Sequence, residues 1–179
     1  KRLVFVGNDS HASSREAELS DEGEGFEAVS INKYCKDHNI EKIDLIMLDL
    51  EGGELNVLRG ADKFLGISKN DAPVVVFEIH SSYVDWKDGL VRTDIGAYLD
   101  LKGYSLYSIR DFQSNYPMSG RKIELISANT TLLDGPEHGF NIIAIKNEKI
   151  LDDKNIVFLE NLSPKLLLHR DKKYHFPIN

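Results

Sequence analysis

The stretch LIMLDLEGGELNVLRGA at residues 45–61 limits what this chain can fold into more than any other. Residues 43–48 are rich in Ile and Leu and predict a buried strand, which ends on Asp49 and Glu51. Gly52 and Gly53 then allow a tight turn, and Leu55, Val57, Leu58, Ala61, Phe64 and Leu65 mark one side of a helix that Gly66 is placed to stop. Asp71-Ala72-Pro73 predicts a turn, and residues 74–79 follow as a second, nearly continuous β-branched run. Continuous apolarity predicts burial on both faces, as in a parallel sheet covered by helices. Strand, helix and strand in that order predict an α/β fold. Ligands of open α/β sheets bind at the carboxyl ends of the strands, where this spelling places two carboxylates.

The remaining elements are shorter. Residues 2–7 predict a strand, 8–25 a polar loop, and 26–31 a short edge strand. Ser30 is a natural cap for a helix over 31–38, ended by Asn39, and Thr93 for one running to Lys102, closed by Gly103. Further strands are expected at 104–109, 122–127 and 140–146. This organisation divides the chain into a domain over 1–146 and an extension over 147–179 packed on it. No function is read for the apolar runs 156–159 and 166–168 of that extension.

The motif LDLEGGELNVLRGA, followed after a short helix by the run 74–79 with Glu78, resembles the core of the FkbM-type methyltransferases. The likeness covers about 26–146, and Asn8-Asp9-Ser10-His11-Ala12-Ser13-Ser14 is similar to the loop that precedes the motif. The resemblance implies a Rossmann-like class I sheet, mostly parallel, with an antiparallel last strand at 140–146 beside the fifth. It implies S-adenosylmethionine as cofactor and a hydroxyl of a sugar or small molecule as methyl acceptor. Asp49, Gly52 and Ser14 are the cofactor-binding residues it suggests. The family's glycine loop and ribose-holding acid belong upstream of the motif, yet no GxGxxG-like run follows a strand before Ile43. Gly23 and Gly25 sit instead in the acidic stretch 21–25. The chain therefore reads as the C-terminal part of such a domain, its N-terminal strands missing; the alternative is a non-catalytic remnant or binding module.

Methyl transfer needs an acceptor held in line and a group that takes the hydroxyl proton. Asp49 is the first candidate for positioning and general-base duty, with Glu51 next. The competing reading has both acids cap the following helix, a contribution of about 0.3–1 kcal/mol. Glu78 and His80 share a strand face and are expected to line the acceptor pocket, with His80 a base at neutral pH. Tyr83 and Trp86 form either an acceptor wall or a lid on the core.

The histidines are dispersed without HxH or HExxH spacing and Cys35 is the lone cysteine, so neither a metal site nor a disulfide is expected. With 29 acidic against 22 basic residues the net charge is −7, which argues against nucleic-acid or anionic-membrane partners. No apolar stretch approaches the roughly 18 residues a membrane helix needs, and a cytoplasmic enzyme is expected.

Overall fold

The computed structural model describes residues 2–6, 13–16, 18, 25–110, 117–133, 139–165 and 171–178. Residues 8–12, Gly23 and residues 166–168, singled out in the sequence, lie outside them. Near the N-terminus, β1 (Arg2–Val6), β2 (Ser13–Glu16) and β3 (Phe26–Glu27) form an antiparallel sheet in the order β2-β1-β3. A strand thus stands at 13–16 where a polar loop is expected. Its residues pair across to β1, a tertiary contact that local composition does not encode. Helix α1 (Ile31–Asp37) starts where the sequence predicts, because the Ser30 hydroxyl accepts from the Lys33 N–H at 3.1 Å.

The main sheet holds β4 (Leu45–Leu48), β5 (Val74–Ile79), β6 (Ser105–Ile109), β7 (Ile123–Ser127), β8 (Phe140–Ile145) and β9 (Ile156–Leu159). Its order is β4-β5-β8-β6-β7-β9. β4 and β5 are parallel, and β8 lies antiparallel between β5 and β6. β4, β5 and β6 therefore point one way with β8 against them. This four-strand part matches the expected mostly parallel arrangement with an antiparallel return. At the far side β7 runs against β6 and parallel to β9, so the whole sheet is mixed. A mixed α/β fold of this kind is compatible with a Rossmann-like methyltransferase.

One expectation fails in an instructive way. β4 is an edge strand, not a buried central one: only Ile46 is buried, while Leu45 is 55% and Met47 75% exposed. No described strand pairs with its outer side. β5 does lie inside the sheet, with Val75, Phe77 and Ile79 under 4% exposed and the residues between them half-buried.

The helix expected over 55–65 divides at Ala61 into α2 (Glu54–Gly60) and α3 (Asp62–Leu65). With α4 (Asp94–Leu101) these helices bury Leu58, Leu65, Ile95 and Leu99 together with Val75 and Phe77 of the sheet. Full burial of such a side chain contributes about 1.5–3 kcal/mol. Lys146, just past β8, donates to the Leu65 and Ile67 carbonyls at 2.8 and 3.0 Å and ties the sheet to the end of α3. No helix among the described residues is long and apolar enough to cross a membrane.

Candidate functional site

The chain leaves β4 through a turn whose conformation the sequence only half announces. Glu51 is left-handed (φ 49°), as is Gly52 (φ 97°). At Gly52 the need for glycine is double, because a Cβ would also stand 3.0 Å from the Tyr83 Cβ. The turn is anchored by Glu54, whose buried carboxylate accepts the Leu50 N–H at 2.7 Å. Gly53, at the start of α2, offers no side chain to cap it. Glu54 thus meets an amide of the turn, and the Asp49 and Glu51 carboxylates stand at the mouth of the sheet without that duty.

Parallel pairing of β4 with β5 brings Glu78 beside them. The carboxylates of Asp49, Glu51 and Glu78 each place an oxygen within 4.8 Å of the others, close enough to share a cation. Asp49 is exposed; Glu51 and Glu78 are half-buried. Gly139 backs the Glu78 carboxylate so closely that any Cβ there would overlap it. Burial pushes the Glu78 carboxyl above its ordinary value, and the Asp49 and Glu51 charges add to the rise, with His80 and Lys165 opposing it. The Glu51 carboxylate, hydrogen-bonded to the Tyr83 hydroxyl, pushes that phenol up as well.

A cleft of about 300 Å³ opens between this turn, the end of β5 and the start of α4. Its polar lining is Glu54, Asn56, Glu78, Asp85, Arg92 and Asp94, with Gly52 and Tyr83 on the turn side. Of the other sequence candidates, His80 stands beside Tyr83, with ring centroids 5.8 Å apart. His80 follows β5, and its Nδ1 accepts the Ser82 N–H at 3.0 Å. A neutral ring so held carries its proton on Nε2. Trp86 packs on Phe140 with ring centroids 5.4 Å apart, on the core side. Ser14 lies in β2 opposite Phe5, in the other sheet.

The structure therefore gathers Asp49, Glu51, Gly52, Glu78, His80 and Tyr83 and turns Trp86 to the core. Sequence reasoning missed Glu54, Arg92 and Gly139. Glu54 had a signal, an acid in the first turn of a helix; Gly139 had none, since its neighbour Glu78 is distant in the chain. A sequence profile of the family described as methyltransferase FkbM domain matches residues 3–114. No curated protein and no solved structure matches the chain.

Proposed function

The chain belongs to the methyltransferase FkbM domain family, and from that premise we propose that it moves a methyl group from S-adenosylmethionine to a hydroxyl of a sugar or small molecule. One observation carries the reading: Asp49, Glu51 and Glu78 meet at the carboxyl ends of the parallel strands β4 and β5, beside a cleft. The donor set suits the cofactor, because a sulfonium is cationic and these groups are carboxylates. Asp49 and the bare backbone of Gly52 would hold its methyl-bearing end, and the resemblance adds Ser14. When bound, the cofactor supplies a methyl made electrophilic by positively charged sulfur.

The chain's own residues divide the remaining work. Glu78, at the inner end of the cleft, has its charged form disfavoured by burial and by its neighbours, which makes it a stronger base than an exposed carboxylate. It takes the acceptor's hydroxyl proton as the oxygen attacks. Asp49 orients the reacting groups, Glu51 holds the Tyr83 hydroxyl, and His80 donates through Nε2. Trp86, packed on Phe140, serves as a lid on the core beside the site. The lone buried thiol of Cys35 supports a reducing, cytoplasmic setting.

Calorimetric titration with S-adenosylhomocysteine tests the reading. Binding that weakens at least tenfold in Asp49→Ala, with circular dichroism unchanged, supports it. That no strand among the described residues pairs with the outer side of β4 favours a second reading, a binding module without its cofactor loop. A folded chain that gives no heat with the cofactor or its product would favour that second reading.

A further inference from the structure

The cleft has a residue that the chemistry above does not use. Arg92 lines it, and its side chain makes no hydrogen bond or ion pair among the described residues. Its backbone is held firmly. It closes the short 3-10 turn Leu90–Arg92, where its N–H donates to the Gly89 carbonyl at 3.1 Å. Next to it, the buried Thr93 hydroxyl donates to the Leu90 carbonyl at 2.7 Å and accepts from the Gly96 N–H at 3.1 Å. The root of the side chain is therefore fixed at the start of α4, on the lining of the cleft, and the exposed guanidinium leaves its donors uncommitted among the described residues. A planar fork of this kind suits two oxygens side by side, either a carboxylate or a pair of neighbouring hydroxyls.

The rest of the lining decides between those two. Glu54, Glu78, Asp85 and Asp94 also line the cleft, against Arg92 as the one cation among its described lining residues; His80 and Lys165, which act on Glu78 from nearby, offset part of that negative charge without matching it. A cleft of about 300 Å³ keeps these charges within about a Debye length, roughly 8–10 Å, of any bound molecule. An anionic acceptor would gain one guanidinium and meet the field of several carboxylates; a neutral diol would keep the hydrogen bonds without that repulsion. The Lys87 ammonium, 3.4 Å from Asp85, is largely exposed, as is Asp85 itself, so this screened pair weighs little either way and the balance rests on the other carboxylates.

Resting on the methyltransferase reading, we infer that Arg92 orients the acceptor by its neighbouring neutral hydroxyls, and that the cleft rejects acceptors carrying a carboxylate. Ligand-observed NMR of the full chain with a set of neutral methyl hexosides and the matching methyl hexuronides tests this. The expected result is binding of at least one hexoside, with its hexuronide at least tenfold weaker. Arg92→Met should weaken the hexoside at least fivefold without moving the melting temperature, Arg92→Lys should weaken it less, and Asp85→Asn with Asp94→Asn should narrow the gap to the hexuronide. Hexuronides binding as tightly as hexosides, or an unchanged hexoside affinity in Arg92→Met, would overturn the inference and leave methyl transfer standing. If no hexoside binds the folded protein, the sugar-acceptor reading falls and the inference with it.

Discussion

Glu78 is held where its charge is disfavoured, and that has two measurable results. As the proposed base, its replacement by Gln should cut methyl transfer about 10²–10⁴-fold, the usual range for a lost general base. Its raised carboxyl also ties stability to pH. A group that binds its proton more tightly when folded adds stability that is full below the unfolded value and is lost as pH rises through the folded one. At pH 7 Glu78→Gln should therefore melt higher than the parent. The gap should close below about pH 4, where the carboxyl is neutral in both states. Melting curves across pH check the sign; a lower melting temperature for the Gln variant at pH 7 would refute it. Gly52→Ala should cost about 1–2 kcal/mol in urea titration, from the left-handed backbone and the crowding of Tyr83. At this scale the sequence was a fair guide to residue types and a poor one to directions. The two acids after β4 were visible as chemistry, but a histidine's tautomer depends on a backbone N–H two residues on, and Trp86 turned to the core because Phe140, far along the chain, was there to receive it.

Elements with local causes formed where the sequence placed them. Ser30 and Thr93 each cap a helix through a hydroxyl that accepts a backbone N–H three residues ahead. Thr93 is buried and also donates, so Thr93→Ala should lower stability by about 1–2 kcal/mol, whereas Ser30→Ala, at an exposed cap, should sit near the low end of about 0.5–2 kcal/mol. Paired chemical-denaturation curves separate the two; equal losses would contradict the difference in burial. Elements whose character depends on neighbours were not legible. Residues 43–48 read as a buried strand by composition, yet among the described residues β4 pairs only with β5, and the face that Leu45 and Met47 share is exposed while Ile46, on the opposite face, is buried. The division of the second helix at Ala61 likewise reflects packing, since Gly60 lies close against Ser30 at the head of α1.

Over the whole molecule, the part beyond the matched span completes the fold. Arg110 and Glu124 form an ion pair with both side chains fully buried, Nη1 to Oε2 at 2.6 Å. The other Glu124 oxygen accepts the Ile178 N–H at 2.6 Å, so the end of the described chain closes over the pair. Removing one partner strands a buried charge, and Glu124→Ala should cost about 3–5 kcal/mol. A urea midpoint shifted by less than a third of that would mean the pair is wetter than its burial implies. This pairing was invisible in sequence, where 110–139 shows little pattern beyond the one strand expected at 122–127, while β7 within that stretch and β8 after it were recognised from their own apolar runs. The place of β8 gives the fold a timetable. Its two neighbours, β5 and β6, leave the ribosome well before it, and nothing in the sheet can join them until it arrives and slides in between. At about 5–20 residues per second that delay lasts some seconds, during which the nascent chain carries a split half-sheet, a state for which a chaperone has reason to wait.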